Sequence, residues 1–210
     1  MIAQYNVRYD KDQPIFFTSD LHFYHENIIR FCNRPFSSVN EMNEKLIDNW
    51  NKTVTDDSII FVLGDVCFGS SSNWNSCLSA LKGKKILILG NHDMKNITDG
   101  AMRFFDYVTQ QMFITISNRK VYLNHYPFLC YGGSLRPYKN AVFQLFGHVH
   151  TSRFTNTGED FKLMKYCNCY QYDVGVDFND FRPISWRLID ERIKIQADKN
   201  VNYLYWIQHG

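Results

Sequence analysis

Nowhere along the chain do about 18 apolar residues follow one another, so no segment is long enough to cross a bilayer as a helix. The opening Met1-Ile2-Ala3-Gln4-Tyr5 lacks a basic start and an apolar run of signal length. A soluble, cytoplasmic protein without membrane partners is expected. An excess of charge of one sign is also missing: 23 Lys and Arg stand against 21 Asp and Glu, a formal net charge of +2. A dedicated nucleic-acid binder carries a dense basic footprint, so nucleic acid is not expected as a partner. The six cysteines (Cys32, Cys67, Cys77, Cys130, Cys167 and Cys169) form no set at zinc-site spacing. They read as reduced packing thiols, with neither disulfides nor a structural zinc. Repeats and low-complexity tracts are absent, and one Gly/Pro-bearing stretch, residues 127–137, reads as a functional loop.

What the chain does have is a core. Its 210 residues are 45% hydrophobic and 16% aromatic, enough for one domain spanning residues 1–210. One pattern occurs five times, in which a short apolar run of strand type ends in residues able to bind metal. Ile15-Phe16-Phe17-Thr18-Ser19 leads into Asp20 and His22, and Ile59-Ile60-Phe61-Val62-Leu63 leads through Gly64 into Asp65. Ile86-Leu87-Ile88-Leu89 leads through Gly90 into Asn91, His92 and Asp93. Val121-Tyr122-Leu123-Asn124 leads into His125, and Val142-Phe143-Gln144-Leu145-Phe146 leads through Gly147 into His148 and His150. In open α/β sheets ligands gather beyond the carboxyl ends of strands, so the five termini are expected to converge on one edge.

Helical segments separate these runs. Ser38 and Glu41 have capping-box spacing, and Met42, Leu46, Ile47 and Trp50 keep one apolar face. Further helices are expected over Glu26–Phe31 and residues 72–81, and further strands over residues 173–176 and 201–206. The last of these is apolar on both alternating faces, which predicts a buried strand or, as the alternative, a homodimer contact. The alternation of strands and helices implies an α/β layered architecture.

Five of the seven histidines (His22, His92, His125, His148 and His150) lie in the turns after strands. Asp20 with His22, and His148 with His150, are each separated by one residue, which in extended backbone puts both side chains on one face about 7 Å apart. Carboxylates, imidazoles and one amide without thiolate suit Mn, Fe, Co, Ni or Zn rather than Ca. Seven candidates (Asp20, His22, Asp65, Asn91, His125, His148 and His150) exceed the three or four ligands of one ion, so two divalent transition-metal ions are expected. His25 and Asn27 have two open readings: phosphate contacts at a helix start, or a helix-start histidine and an exposed Asn. Arg34, before Pro35, reads as a surface residue outside the site. In residues 126–140, Phe128, Tyr131, Tyr138 and Arg136 suggest a substrate wall or lid able to stack on a nucleobase.

In order, these motifs resemble those of the calcineurin-like metallophosphoesterase superfamily: DxH (Asp20, His22), GD (Gly64, Asp65), GNH(D/E) (Gly90 to Asp93), H (His125) and GHxH (Gly147 to His150). The strings around Asp20 and His125 resemble a small bacterial and phage-type subgroup. The resemblance implies a four-layer αββα sandwich with two mixed β-sheets. It implies that Asp20, His22 and His150 hold one metal, that Asn91, His125 and His148 hold the other, and that Asp65 bridges them. By the same resemblance His92 stands beside the leaving group, with Asp93 orienting it, and Asn91 also faces the substrate. Such a centre ionises a bridging water, and the hydroxide attacks phosphorus. The expected activity is hydrolysis of a small phosphodiester or phosphomonoester, a nucleotide among the candidates, with the diester favoured. The competing functions are a binding module on the same fold and a nuclease; the intact ligand set argues against the first, and the even charge against the second.

Overall fold

The computed structural model describes residues 7–10, 12–152 and 162–209; the Met1 to Tyr5 segment lies outside them. Period-two alternation decides where its sheets go. In β3 (Ile59–Val62), Ile60 and Val62 face one way, while Phe61, with Leu63 after the strand, faces the other. All four are buried, so this strand lies between two apolar layers.

β3 is central in the first sheet, between β2 (Ile15–Thr18) and β4 (Lys84–Ile88). β5 (Tyr107–Thr109) and β10 (Ile184–Ser185) form its edges, and only β10 runs antiparallel to its neighbour. The second sheet has the order β1 (Val7–Tyr9), β6 (Gln111–Ile116), β7 (Arg119–Asn124), β8 (Val142–Phe146) and β9 (Gln171–Asp173). There the β6–β7 hairpin is the antiparallel pair. Both sheets are therefore mixed. Phe17, Phe61 and Ile88 of the first meet Ile114, Leu123 and Leu145 of the second, with Phe17 and Phe61 stacked at 5.1 Å.

On the outer side of the first sheet, α1 (Glu26–Phe31), α2 (Val39–Thr53) and α3 (Ser71–Ala80) cover Ile60, Val62 and Leu87 with Ile28, Leu46, Trp50, Trp74 and Leu78. Two one-turn helices, α4 (Asp93–Asn96) and α5 (Asp99–Met102), follow β4. α6 (Trp186–Lys199) inserts Trp186, Ile189 and Ile193 into the core between the sheets. The architecture is α/β, with two mixed sheets packed face to face and helices on the flanks, as the resemblance implied.

The outer face of the second sheet is covered by the start of the 126–140 loop. Tyr122, whose neighbours Val121 and Leu123 point inward, carries the rings of Phe128 and Tyr131. Gln144 accepts a hydrogen bond from the Phe128 amide, and Gln171 donates to the Phe128 carbonyl. Tyr138 sits at the far end of β8, where its hydroxyl donates to Asp190 and Arg119 lies over its ring. The loop is thus split: its first residues border the carboxyl ends of the strands and Tyr138 does not.

Two sequence expectations need correction. Residues 201–206 form no strand: a turn leads into α7 (Tyr205–His209), and Tyr203 alone is fully buried, its hydroxyl 3.0 Å from that of Thr151. Asn202 makes the difference, because its side chain accepts from the Leu204 amide and its carbonyl from the Tyr205 amide, a local turn that alternation in six residues does not reveal. The 173–176 strand lies earlier, as β9, and continues only as a bridge between Ser19 and Gly175. The cap of α2 is also modified. Ser38 Oγ accepts from the Glu41 amide at 3.2 Å, but the Glu41 carboxylate takes the Ser37 amide at 2.7 Å. Ser38→Ala should cost about 1 kcal/mol, read as a lower urea midpoint at unchanged m-value.

No helix among the described residues is long and apolar enough to cross a membrane.

Candidate metal centre

Asp20, Asp65 and Asn91 follow β2, β3 and β4 of the first sheet, whereas His125, His148 and His150 follow β7 and β8 of the second. The two sheets meet at this edge. The Asp20 amide donates to the Gly64 carbonyl (2.9 Å), the His22 amide to the Asp65 carbonyl (3.0 Å), and the Gly147 amide to the His125 carbonyl (3.0 Å). The paired motifs are not extended. Asp20, His22, Asp65, His148 and His150 all have left-handed backbone, with φ of 58°, 52°, 56°, 72° and 51°. The expected extended i, i+2 geometry is corrected accordingly: each ligand turn curls back over its strand end. Such conformations cost about 1–3 kcal/mol each in non-glycine residues and persist only where the surroundings impose them.

Close approach explains two glycines. Gly64 has φ +94°, and a Cβ there would lie 2.5 Å from His125 Nδ1 and 2.6 Å from the Gly90 backbone. A Cβ at Gly147 would collide with Ser19 Oγ and the Asp20 carboxylate.

Hydrogen bonding fixes where the imidazole lone pairs point. His125 Nδ1–H donates to the Leu63 carbonyl at 2.7 Å, so its Nε2 lone pair faces Asn91 Oδ1 at 3.0 Å and Asp65 Oδ2 at 3.5 Å. His150 Nδ1 donates to Asp177 Oδ2 at 2.8 Å, and its Nε2 faces His22 Nε2 at 3.2 Å and Asp20 Oδ1 at 3.8 Å. Asp20 Oδ1 is buried and, among the described residues, has no hydrogen-bond partner. Asp20, His22 and His150 form one group able to hold a metal ion; Asp20, Asp65 and His125 form another. Lone pairs and carboxylate oxygens aimed at one another fit divalent cations, and the mixture of imidazole, carboxylate and amide fits a transition metal.

Burial, then repulsion from Asp20, raises the Asp65 carboxyl to about 7. Burial, then His150, lowers His22 well below the usual imidazole range. Burial opposes charge on His150, but the Asp20 and Asp177 carboxylates lift it well above that range.

The remaining sequence candidates sit as follows. The His148 amide donates to Asp20 Oδ2 (2.9 Å), and its ring lies 5.0 Å from that of His125. His92 is partly exposed, with Nε2 3.9 Å from Asp65 Oδ2 and its amide donating to Asp65 Oδ1 at 2.9 Å. His25 Nδ1 is 3.4 Å from His22 Nδ1, and its ring stacks on Phe68 at 4.1 Å. Asn27 is exposed in the first turn of α1 and, among the described residues, makes no hydrogen bond to the centre.

Asp93 is engaged differently from the expectation that it orients His92. Its buried carboxylate accepts the amides of Asp65 (2.7 Å), Gly90 (2.9 Å) and Val66 (2.9 Å), and among the described residues no hydrogen bond joins it to the His92 ring. With three amides converging on it, the side chain turns inward and fastens the Asp65 turn to the Asn91 turn.

Arg34 is the largest correction. It is 4% exposed, pairs through Nε and Nη2 with Asp177 (2.8 and 2.7 Å), and donates to the carbonyls of Asp20 (2.7 Å) and Leu21 (3.0 Å). Asp177, held well below the usual carboxylate range by Arg34 and His150 against the effect of burial, links this guanidinium to the His150 ring. No local signal in the sequence joins partners 143 residues apart. Phe68 was missed as well; its ring lies 4.9 Å from His92 and 5.4 Å from His22.

Strand ends, paired acidic residues and inward-facing imidazoles define a metal-binding hydrolase centre. The calcineurin-like phosphoesterase family model matches residues 13–166, and the chain belongs to that family, whose members are metal-dependent phosphoesterases. It is 47% identical over 83 residues to the uncharacterized protein MJ1445 of Methanocaldococcus jannaschii, covering 39% of this chain and 47% of that one. It is 36% identical over 80 residues to the Gene 66 protein of Mycobacterium phage L5, covering 37% and 38% respectively. These matches span less than half of the curated relatives. The solved structure of AQ665, a protein of unknown function from Aquifex aeolicus, superposes with a TM-score of 0.63 at 26% identity, over 86% of this chain and 99% of that one.

Two outcomes are expected. In metal-free protein, Asp65 costs little below its ordinary value of 3.8 and progressively more as pH climbs to about 7, because the folded state holds the proton that the unfolded state has released. Asp65→Asn should therefore raise the melting temperature of the metal-free protein, by a margin that grows from pH 4 to 7 and then levels off, while abolishing stabilisation by added metal. Asp177→Asn should weaken Co²⁺ binding by about 10- to 100-fold, read from the visible spectrum during titration.

Proposed function

We propose that the chain is a binuclear phosphohydrolase acting on a small phosphodiester. The observation that carries this reading is the convergence of two ligand groups that share Asp20 and abut at Asp65 Oδ2. Asp20, His22 and His150 would hold one ion and Asn91, His125 and His148 the other, with Asp65 shared by both. Mn, Fe, Co, Ni and Zn all suit the donors. When bound, the ions supply an ionised water and neutralise the phosphoryl oxygens.

The chain's own groups do the rest. His92 assists the leaving oxygen, as proton donor when its ring is protonated and as hydrogen-bond donor when it is neutral; burial, then His125, lowers its pKa. Its position 3.9 Å from Asp65 Oδ2, with the side chain 41% exposed, leaves it open to an incoming ester. Asp93 serves by holding the Asp65 and Asn91 turns in place. His25, on the same flank, contacts the phosphoryl group, while Asn27 would need to reach inward from α1.

Ring contacts around the centre favour a diester. His22, His25, His92 and Phe68 form one cluster, and His125, His148 and Tyr126 another. Two flanks accommodate two ester groups, and the even charge balance suits a small substrate better than a polymer.

Reconstituted protein should bind two equivalents of metal and hydrolyse phosphodiesters; zero binding under loading with all five metals would reject the assignment. His92→Ala should retain both ions yet lose about 10²- to 10⁴-fold in turnover of alkyl esters, and much less with nitrophenyl esters, whose leaving oxygen hardly needs a proton. Equal losses on both substrates, or loss of metal, would remove His92 from the acid role.

A further inference from the structure

Several exposed large apolar side chains gather in one place. Tyr126, Leu129, Leu163 and Tyr166, from 40% to 83% exposed, surround a cavity of about 590 Å³ that Phe128 and His148 also line. That volume lies within the roughly 300–1,000 Å³ usual for small-molecule sites. Among the described residues its wall contains no Asp, Glu, Lys or Arg. One side of the wall is fixed, because Phe128 is held through both backbone groups by Gln144 and Gln171, which also bond to each other at 2.6 Å.

The cavity borders the ligand turns through His148. His148 belongs to both, and Tyr126, next in the chain to His125, has its ring 4.6 Å from that of His148 and 5.0 Å from that of His125. A phosphoryl group bound between Asp65 and His148 would have one ester arm on the Tyr126 side and the other on the side of His92 and Phe68. The arm beside His92 is the one that leaves. The arm beside Tyr126 stays on the product.

We infer that this cavity binds the retained ester group of the phosphodiester, and that this group is apolar and ring-bearing. The inference rests on the proposed function. The rings of Tyr126, Phe128 and Tyr166 line the cavity and can pack against a planar group. A sugar or charged head against such a wall would lose its hydrogen bonds to water with few replacements.

The test keeps the leaving group constant. Methyl p-nitrophenyl phosphate and phenyl p-nitrophenyl phosphate release the same phenolate, so only the retained group differs. With Mn²⁺-loaded full-length protein, KM should be about tenfold lower or better for the phenyl ester, as burial of one ring predicts. Leu129→Asp and Leu163→Asp should each shrink that ratio towards one; Leu135→Asp, on a residue 91% exposed outside the cavity, should leave it intact. Calorimetric titration with phenylphosphonate and methylphosphonate measures the same preference without turnover. Equal KM values and equal phosphonate affinities in an active enzyme would overturn the cavity assignment and leave the proposed function standing. Tight phenylphosphonate binding with no hydrolysis of either ester would do the reverse. A change of oligomeric state in Leu129→Asp with an unaltered KM ratio would identify the patch as a self-association surface and overturn the inference.

Discussion

Asp20 and Asp65 are 0% and 1% exposed, close enough to repel, and the Nε2 atoms of His22, His125 and His150 lie 3.5 to 3.8 Å from their oxygens. A carboxylate removed from water is costly unless paired, and a second one nearby raises the cost. The arrangement is thus unfavourable for the bare polypeptide and favourable once divalent charge enters it. Much else in the structure can be understood as what keeps these groups from relaxing apart.

The restraint comes from the sheets. Left-handed turns at Asp20, His22, Asp65, His148 and His150 are held because each follows a strand whose side chains are locked in the core on one or both faces. Asp93 joins the turns after β3 and β4 through three backbone amides. Arg34 joins the turn after β2 to Asp177, and through it to His150 after β8. Each buried charge used as a fastener is itself paired or multiply hydrogen-bonded, the condition under which burial is tolerated. Strain at the centre is therefore carried by neighbours that have no free alternative, which is how a ligand set can be preorganised before metal binds.

The ligand turns were legible in the sequence because a buried strand and a polar turn differ sharply over a few residues. The apolar runs before Asp20, Asp65, Asn91, His125 and His148 are β2, β3, β4, β7 and β8. What escaped detection was long-range or local in the wrong way. Arg34 looks like any arginine before a proline until Asp177 is brought beside it. Asp93 shares a motif with His92, and adjacency suggested a contact that three backbone amides pre-empt. Residues 201–206 carry an alternation that a strand would show, yet a single Asn turn overrides it at this length. Asp173, buried and raised to about 7 by burial and then by Asp20, follows a strand of three residues with no motif to mark it. Pattern reports what recurs locally; it is silent on which distant charge neutralises which.

Rigidity and variability are divided unequally around the centre. The groups that hold charge come from strand ends, where a displacement would disturb both sheets. Tyr126, Phe128 and Leu129 come from a loop laid over the outer face of the second sheet, and changing their outward side chains disturbs little of the core. Yet Tyr126 directly follows His125, whose Nδ1 is tied to Leu63 of the other sheet. The loop's first residue is consequently fixed relative to the metal ligands, while later ones such as Leu129 and Leu135 stand exposed. A loop anchored at its root and exposed at its rim can vary in its outer side chains without moving the ligand turns. That separation follows from the chain path alone: the strand that delivers His125 ends at Asn124, and His125 is the single residue between it and the cavity lining that starts at Tyr126.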